Sequence, residues 1–399
     1  MNTKPDSDQP VTTGNNPTSQ LDGNATIAVI GAGAFGGWTS LWLRRKGFKV
    51  INIDQWGPGN AWSSSGGETR LHRFVYGAES IYTKLAVRAH QLWLENEKKF
   101  GKQLFFPNGV LWFTKDVNNS DFIKTSLRHF QEVGLSFDKL SPDEARKRYP
   151  FLHVDDLSAL ILEKTAGYLM AREACQSVTK AFVSEGGTYL QSPVKPGSIK
   201  NNQLDNLLLK DSKLKADVYV FACGPWIGDI FPEVMKGKIT ITRQEVFYFG
   251  LPPHLSTDFE NCQPPWLDLD GEDVFYGFPK NQHRGFKIAA HRRGKVFDPS
   301  NDDRVVSTEA LERARDYLAF RFPSLKKMPL IESRVCQYTN TPDDHFIFDL
   351  HPGADNVWIL GGGSGHGFKH GPALGELAAA VIAGEKPVLE ACLFKRFQA

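Results

Sequence analysis

Apolar and polar residues near the start of the chain follow a strand–helix–strand pattern. Residues 25–54 read ATIAVIGAGAFGGWTSLWLRRKGFKVINID. The apolar run Ile27–Ile30 predicts a short buried strand, and the apolar residues that follow recur at helical spacing. A second apolar run ends at the acidic residue Asp54. The pattern therefore predicts a βαβ unit of the kind that opens a Rossmann-like domain.

The turn between the first strand and the helix is rich in glycine. Gly31 permits a tight turn, Gly33 lets the backbone approach a pyrophosphate, and Gly36 lets the helix pack closely on the strand. Asp54 lies near the spacing of about 20 residues at which an acid accepts hydrogen bonds from an adenosine ribose. An ordinary glycine-rich turn is the alternative, but strand, helix and acid together predict a dinucleotide site. The acid favours FAD or NAD over NADP, and the motif does not choose between FAD and NAD.

Patterns along the rest of the chain predict two interleaved domains, so the fold class is α/β with an α+β substrate domain. Helices are expected over 81–99, 120–134, 171–185 and 307–320, and a capping box at Ser141-Pro142 opens another. Asn108-Gly109 predicts a hairpin, and residues 237–296 are rich in strands. We assign 25–101, 161–235 and 326–399 to a discontinuous Rossmann-like domain, and 102–160 and 236–325 to a domain with a mostly antiparallel sheet.

The composition indicates a soluble globular protein, with 41% apolar and 23% charged residues. The net charge of +2 gives no reason to expect a nucleic-acid or membrane partner. Residues 1–24 are polar and predict a disordered tail rather than a signal peptide. The five cysteines, Cys175, Cys223, Cys262, Cys336 and Cys392, are scattered in a way that suggests neither disulfides nor a metal site. We therefore predict a cytoplasmic protein without a bound metal.

The segment from Cys336 to Lys369 concentrates chemically active groups. Cys336 lies on a predicted strand, and a glycine-rich turn then leads to a helix that opens at Pro372. A helix entered in this way directs backbone N–H groups and its positive dipole end at whatever lies before it. With His366, His370 and Lys369 on the same turn, the segment is suited to an electron-rich group.

Several separated motifs together resemble the monomeric sarcosine oxidase and N-methyltryptophan oxidase family. They are GAGAFG, GETRLHRFVYG, FYGFP, FKIAAH, CQYTNTPDDHFIFDLHP and GSGHGFK, in the family's order, within residues 25–384. The members are FAD-dependent amine oxidases of the D-amino-acid-oxidase-like superfamily. The resemblance implies a monomer that oxidises the C–N bond of an amino acid, in particular an N-alkylated one, to an imine. Oxygen is reduced to H2O2, and water then hydrolyses the imine.

The resemblance also assigns roles to residues. Cys336 would carry the flavin through a thioether to its 8α-methyl carbon, although a lone cysteine is more often a small core residue. Lys287 would activate oxygen; on its strand it faces away from its two apolar neighbours, and a solvated lysine is the alternative. Arg73 and Lys369 would hold the substrate carboxylate, while Tyr276 would line the pocket.

The remaining site residues surround the cofactor in this interpretation. Arg70 would lie against the flavin ring, and His291 and His366 would tune the site or serve as structural hydrogen-bonding groups. The other residues that we expect at the cofactor are Ala34, Phe35, Gln55, Thr69, Val194, Cys223, Gly224, Tyr338, Gly363, Gly365, Gly367 and Phe368.

Three departures from the family pattern stand out. Ser65 and Gly66 replace two histidines that family members commonly carry beside the flavin, and Glu68 replaces an aspartate. Arg292 and Arg293 replace neutral residues, so they lie in solvent or favour a second acidic group on the substrate.

Other functions stay open from the sequence. A flavin dehydrogenase would pass electrons to an acceptor other than oxygen, a nicotinamide-dependent dehydrogenase would lack a flavin, and a flavin-binding partner protein would have no activity. Sarcosine, N-methyl aromatic, cyclic, glycated and primary amino acids all remain as substrates, with glycated amines less favoured.

Overall fold

A computed structural model describes residues 21–255, 259, 263–270, 273–282 and 284–398 of the chain. Most of the predicted tail, and Cys262, lie outside the described residues. The helices are α1 (Ala34–Arg45), α2 (Ser80–Phe100), α3 (Asp121–Glu132), α4 (Pro142–Arg148), α5 (Ala171–Ser184), α6 (Ile227–Ile230), α7 (Pro232–Met235), α8 (Thr308–Arg321) and α9 (Gly371–Ile382). The strands are β1 (Thr26–Ile30), β2 (Lys49–Asp54), β3 (Thr69–His72), β4 (Phe105–Phe106), β5 (Val110–Thr114), β6 (Phe137–Leu140), β7 (Ala159–Glu163), β8 (Gly167–Met170), β9 (Thr188–Gln191), β10 (Lys195–Pro196), β11 (Ile199–Lys200), β12 (Gln203–Leu204), β13 (Leu207–Leu208), β14 (Lys213–Leu214), β15 (Val218–Phe221), β16 (Thr240–Phe249), β17 (Trp266–Asp268), β18 (Phe275–Phe278), β19 (Phe286–Ala290), β20 (Leu330–Asn340), β21 (Ile347–His351) and β22 (Ala354–Gly361).

The N-terminal βαβ unit lies at the centre of a mainly parallel sheet, as predicted. The strand order is β21-β22-β15-β1-β2-β9, and only the edge strand β21 runs antiparallel among these. Helices α1, α2, α5 and α9 contribute to the core on one face, which includes Trp38 and Leu374. Apolar side chains such as Phe231 cover the opposite face. Both faces are covered, which explains why the central strands β1 and β15 are almost entirely apolar.

The C-terminal ends of the parallel strands meet at one edge of this sheet. β1 ends before Gly31, β2 ends at Asp54, β15 ends before Cys223, and β22 ends at Gly361. Open α/β sheets bind their ligands outside this edge. The edge therefore gathers residues that lie far apart in the sequence at one ligand-binding position.

A second, larger sheet faces this edge. Its order is β20-β16-β19-β18-β17-β5-β7-β6, and its pairs are antiparallel except for β17 with β5. One face packs into a core that includes Phe113, Ile288 and Leu318 of α8. The mostly antiparallel sheet of the sequence prediction is confirmed, and its other face is free to line a site.

Two sequence predictions about chain organisation need correction or extension. The hairpin at Asn108-Gly109 is wrong, because β4 pairs with β8 while β5 pairs with β7 and β17. The turn at Gly109 instead carries the chain from a small sheet, β3-β8-β4, into the large one. The division into two domains stays a prediction, and β20, which we assigned to the Rossmann-like domain, pairs with β16 in the large sheet.

Several helix starts agree with their sequence signals. The Ser141 hydroxyl accepts a hydrogen bond from the Glu144 N–H, and the Glu144 side chain accepts one from the Ser141 N–H, which completes the predicted capping box. The Ser307 hydroxyl caps α8 by accepting a hydrogen bond from the Ala310 N–H. Within the described part of the chain, no helix combines the length and apolar character that a membrane crossing requires.

Candidate active site

A cavity of about 490 Å³ lies between the two sheets. Gly31 and Asp54 line it from the parallel sheet, and Lys287 and Cys336 line it from the large sheet. Clefts at the C-terminal edge of a doubly wound sheet are common cofactor sites. The N-terminal βαβ unit and the segment that begins at Cys336, which together predicted the cofactor, therefore line the same cavity.

Gly31 and Gly36 of the first turn have the turn and packing roles that their spacing predicts. Gly31 has a φ of +109°, and a Cβ there would collide with the Ala222 carbonyl oxygen. A Cβ on Gly36 would collide with the Gly31 carbonyl oxygen, so this glycine allows α1 to pack closely on β1. A Cβ on Gly33 would meet only the Ser65 side chain, at 3.2 Å from its Oγ. Gly33 therefore leaves the cavity side of the turn open.

Asp54 organises the turn and keeps capacity for a ligand. Its Oδ2 accepts a hydrogen bond from the Ala32 N–H at 2.8 Å, and its Oδ1 accepts from the N–H groups of Trp56 and Gly57 at 2.9 and 2.8 Å. A carboxylate offers about four acceptor positions. One position thus stays available for the ribose hydroxyl that the sequence motif predicts.

Cys336 and Arg70 meet at the Ser64 carbonyl oxygen. The Cys336 Sγ lies 4.0 Å from this oxygen, and an Arg70 nitrogen donates to it at 2.6 Å. Arg70 also donates to the Thr69 carbonyl and lies 6.0 Å from the centre of the Phe368 ring. Burial acts to lower the pKa of Arg70, but Cys336 and nearby tyrosines more than offset it and raise the pKa. The thiol therefore has a permanent cation beside it.

Lys287 is buried in the cavity wall. Its Nζ donates to the Thr69 carbonyl at 3.1 Å and to the Thr69 hydroxyl at 2.9 Å, and it lies 4.5 Å from the centre of the Phe278 ring. Burial, assisted by Arg70 and opposed by Glu68, lowers the pKa of Lys287 to about 7. This amine can therefore change its protonation state near neutral pH, unlike the solvated lysine of the alternative interpretation.

Glu68 connects this lysine to the surface. The carboxyl group is 6% exposed, and burial raises its pKa against the opposing effects of Lys287 and Arg284. Arg284 lies 4.0 Å from it and forms a 2.7 Å ion pair with Glu332. Because Arg284 and Glu332 are partly exposed, the charge network extends from Lys287 to solvent.

Arg73 and Lys369, which are far apart in the sequence, share one aromatic ring. The Arg73 guanidinium carbon lies 4.6 Å and the Lys369 Nζ 4.9 Å from the centre of the Tyr76 ring. Lys369 donates to the His366 carbonyl at 3.0 Å, and Arg73 donates to the Val75 carbonyl. No carboxylate of the described residues lies within ion-pair distance of either cation.

The charge around this pair is therefore uncompensated. Burial, together with Arg73, holds the pKa of Lys369 well below its usual range. The nearest buried acid is Glu163, and burial raises the pKa of its carboxyl group to about 8, against the effects of Phe74, Arg73 and Lys369. Below pH 8 this acid is mainly neutral, so it does not cancel the positive charge. The pair is suited to an anion that enters the cavity.

The two histidines of the site are neutral near pH 7. Burial and Arg73 lower the pKa of His291 to about 4, and its Nδ1 lies 3.4 Å from the Tyr338 hydroxyl. Burial also lowers the pKa of His366 strongly, and its ring nitrogens contact the Tyr76 hydroxyl at 3.2 Å and the Asp344 carbonyl at 3.0 Å. Both therefore have the hydrogen bonds of the structural interpretation.

The residues predicted from sequence lie together around the cavity, with two exceptions. His370 does not line it, and its Nε2 lies 2.7 Å from the Tyr76 hydroxyl. Gly36 does not line the cavity either and serves only the packing of α1. Lys287 faces the cavity while both neighbours on β19 lie in the core, as their alternation predicted. Arg292 and Arg293 are exposed and pair with Asp273 and Asp344, which supports the solvent interpretation.

Sequence reasoning missed several residues of the site. Ser65, noted only as a departure from the family, accepts a hydrogen bond from the Ala34 N–H at 3.1 Å, at the start of α1. Trp56 was also missed; its ring centre lies 4.7 Å from that of Trp226, in the turn that follows β15, and both residues line the cavity. Glu163 gave a signal that we did not use, since it ends the apolar strand Ala159–Glu163. An acid within an apolar run is seldom buried without a function or a partner.

The cavity fits a bound FAD. The turn at Gly33 is open to a pyrophosphate, and Asp54 retains an acceptor position for a ribose. The described lining includes the cations Arg70, Arg73, Lys287, Arg334 and Lys369, with Asp54 as its single carboxylate. Such a lining favours an anionic ligand.

Comparisons with known proteins agree with this fit. A family model described as FAD dependent oxidoreductase (DAO) matches residues 26–381. Monomeric sarcosine oxidase of Arthrobacter sp. (strain TE1826) is 28% identical over 364 residues, which are 90% of this chain and 92% of that protein. N-methyl-L-tryptophan oxidase of Yersinia pestis (strain Pestoides F) is also 28% identical, over 90% of this chain and 95% of that protein.

The fold has a solved counterpart as well. The crystal structure of L-proline dehydrogenase from P. horikoshii superimposes with a TM-score of 0.80 and 22% identity, over 92% of this chain and 96% of that one. The family match decides between the two dinucleotides that the sequence motif left open, and it excludes the nicotinamide-dependent alternative. The chain belongs to the FAD dependent oxidoreductase (DAO) family, and its cofactor is FAD.

Proposed function

We propose that the protein is an amine oxidase that converts the C–N bond of an amino acid, in particular an N-alkylated one, to an imine. Water hydrolyses the imine, and oxygen becomes H2O2. The observation that carries this proposal is the pair Arg73 and Lys369 on the Tyr76 ring, inside the cavity that also contains Lys287 and Cys336. The similarity to sarcosine and N-methyl-L-tryptophan oxidases supports the same substrate class.

A substrate carboxylate would supply the negative charge that Arg73 and Lys369 lack among the described residues. The buried Lys369 has a strongly lowered pKa and no carboxylate partner among the described residues. A bound carboxylate would stabilise its ammonium form, and the Arg73 guanidinium adds directional donors for the same group. A substrate held in this way has a fixed orientation, and orientation is a large part of the rate that an enzyme can gain.

The remaining residues have roles in holding the cofactor and in handling oxygen. FAD, when bound, supplies the two-electron chemistry between the amine and oxygen. We assign the turn from Gly31 to Gly33 and Asp54 to its nucleotide part, and Cys336 to a covalent 8α-thioether. The Lys287 ammonium would stabilise the negative charge that oxygen acquires as it is reduced, an effect that a dry site strengthens.

Anaerobic bleaching of the flavin colour tests the substrate class. We expect N-methyl-L-alanine to bleach the purified protein and N-methylethylamine, which lacks the carboxylate, to do so far less well. Lys369→Met and Arg73→Met should each weaken the response to the amino acid about 10- to 100-fold in concentration, because each removes a charged hydrogen-bonding group. The exposed Arg292, paired with Asp273, provides the matched control Arg292→Met, which should behave like the wild type.

The outcomes separate the rival functions. Equal bleaching by the amine without a carboxylate would overturn the role of the pair. Bleaching without stoichiometric H2O2 after air is admitted would identify a dehydrogenase that uses another acceptor. A protein that no amine bleaches would have a different function altogether.

A further inference from the structure

A row of apolar side chains crosses the cavity face of the large sheet. Leu267 on β17 is the register partner of Trp112 on β5 and of Tyr276 on β18. Side chains of paired residues lie on the same face of a sheet. All three residues line the cavity. The row therefore forms part of a continuous wall.

Strand alternation extends this wall. Residues two apart on a strand share a face, which adds Phe278 beside Tyr276 and, directly after the end of β17, Leu269 beyond Leu267. Val274 comes before β18 and has a φ of +45°, so it belongs to the wall by its contact with the cavity and not by strand alternation. All of these residues line the cavity as well. We call Trp112, Leu267, Leu269 and Val274 the apolar wall. None of its side chains can donate or accept a strong hydrogen bond except the Trp112 indole N–H.

The apolar wall lies close to the cations that would hold a substrate. Phe122 stacks on Trp112 with ring centres 6.1 Å apart, and its ring fills the space in which a Cβ on Gly77 would lie. Gly77 follows Tyr76, whose ring carries both Arg73 and Lys369. Phe122 thus joins the apolar wall to the carboxylate-binding pair.

Strand β3 adds a further apolar side chain to this part of the cavity, because Leu71 packs against the same cluster as Trp112 and Leu267. Thr69 and Leu71 of β3, and then Arg73, follow at intervals of two along the chain, and all three line the cavity. Thr69 holds Lys287, so Leu71 lies between the oxygen-handling amine and the carboxylate-binding pair. A substrate held by Arg73 therefore has a continuous apolar surface beside its α-carbon substituent.

The charges of the cavity disfavour the other kinds of side chain. Asp54 is the single carboxylate in the described lining, and three backbone N–H groups already bind it at the nucleotide turn. A substrate with a cationic side chain would find no free counter-charge among the described residues of the lining. A glycated amine would bring several hydroxyl groups against the apolar wall, and each buried hydroxyl without a partner costs free energy.

Building on the proposed function, we propose that the substrate is an N-alkylated amino acid with a bulky apolar side chain, aromatic or branched aliphatic, which packs on the apolar wall and Phe122. Sarcosine, which has no side chain, would leave this wall uncovered. The inference deepens the proposed function by choosing among amino acids that differ only at the α-carbon.

Four N-methyl amino acids distinguish this inference from the proposed function. We expect N-methyl-L-phenylalanine to half-saturate anaerobic flavin bleaching at a concentration at least about tenfold below that of sarcosine, because burying a large apolar side chain is worth that much or more. N-methyl-L-aspartate and Nα-methyl-L-lysine should be weaker than N-methyl-L-phenylalanine by a similar factor. If sarcosine or a charged analogue is the best of the four, this inference fails and the proposed function stands. If none of the four bleaches the flavin, both fail.

Substitutions at Phe122 and Leu269 test where the substrate side chain contacts the protein. Phe122 is 42% exposed, so Phe122→Ala should fold normally. It should weaken the response to N-methyl-L-phenylalanine about three- to tenfold, and more than it weakens the response to sarcosine. Leu269→Asp, at a half-buried position, should weaken the same response further and improve that to Nα-methyl-L-lysine. Phe320 is 45% exposed on α8, outside the cavity, and Phe320→Ala is the matched control. Equal responses of Phe122→Ala and Phe320→Ala to all four compounds would contradict the placement.

Binding without turnover gives an independent measurement. Isothermal titration of the flavin-containing protein with phenylacetate and with acetate compares the same carboxylate with and without a ring. We expect phenylacetate to bind at least about tenfold more tightly, and Leu269→Asp to remove most of the difference. Equal affinities would overturn the inference whatever the bleaching experiments give.

Discussion

Lys287 should lower the stability of the flavin-free protein, and its replacement by methionine should raise it. The side chain is 3% exposed, and it has two hydrogen bonds to Thr69 but no carboxylate in direct contact among the described residues. Methionine has a similar length and no charge, so it can occupy the same volume beside Phe278. The flavin-free form can be produced in a host starved of riboflavin.

The magnitude follows from the lowered pKa. The fall from 10.5 to about 7 means that the ammonium is disfavoured in this site by roughly 5 kcal/mol. Loss of the two hydrogen bonds to Thr69 costs about 1 kcal/mol each. At pH 6, Lys287→Met should therefore raise the free energy of unfolding by roughly 3 kcal/mol.

The pH dependence has a definite sign. Between pH 7 and 10.5 the unfolded chain binds a proton at this lysine that the folded chain does not, so the wild type gains stability as the pH rises. Below pH 7 both states are protonated and the full penalty is present. The advantage of Lys287→Met should therefore shrink through this range and be close to zero at about pH 9.5.

Urea unfolding of both proteins at pH 6, 8 and 9.5 measures this difference, and Lys295→Met is the control. The Lys295 side chain is exposed, and its replacement should change the free energy of unfolding by less than about 0.5 kcal/mol at each pH. A Lys287→Met protein that is less stable than the wild type at pH 6, or a difference that does not change with pH, would refute the reasoning.

Three further predictions concern the cofactor. Cys336→Ala should release the yellow colour on denaturation while the wild type retains it in the protein band; a wild type that loses its colour would exclude covalent attachment. Gly36→Ala should abolish FAD binding or folding, because its Cβ would collide with the Gly31 carbonyl. The control Gly37→Ala, whose Cβ would lie 3.5 Å from Val178, should retain both, and equal behaviour of the two variants would contradict the packing argument. Ser65→Ala should lower the free energy of unfolding by about 1 kcal/mol, as loss of a helix cap does, and an unchanged midpoint of urea unfolding would show that the hydroxyl is dispensable.

Local patterns explain why the cofactor end of the site could be predicted. Gly31, Gly33, Gly36 and Asp54 lie within one βαβ unit, so their spacing in the sequence fixes their relative positions in space. The same holds for the alternation that turned Lys287 toward the cavity. Such features depend on neighbours that are close along the chain.

Features that depend on pairing between strands far apart in the sequence were harder to predict. Asn108-Gly109 has the composition of a hairpin turn, and Gly109 adopts a φ of +77°. The strands on either side nevertheless join different sheets, because Phe105 and Phe106 pair with Leu169 and Tyr168. Pairing energy from a partner about 60 residues away outweighed the local signal.

The buried acid Glu163 likewise could not be predicted from local patterns in the sequence. Glu163 interacts electrostatically with Arg73 and Lys369, although it is about 90 residues from Arg73 and about 200 from Lys369 in the chain. Only the fold brings these charges together. The family resemblance supplied Arg73 and Lys369 but gave no reason to expect Glu163 or the apolar wall, which depends on the register of β5, β17 and β18.

The rate at which oxygen reoxidises the substrate-reduced protein tests the central claim, an oxidase with Lys287 at its oxygen site, most directly. The flavin is first bleached without oxygen by N-methyl-L-phenylalanine, and the protein is then mixed with oxygenated buffer. We predict that Lys287→Met is bleached almost as fast as the wild type but recovers its colour at least about 100-fold more slowly, because the charge that stabilises reduced oxygen is missing. Equal rates of recovery in the two proteins, or a wild type that oxygen does not reoxidise, would contradict the account.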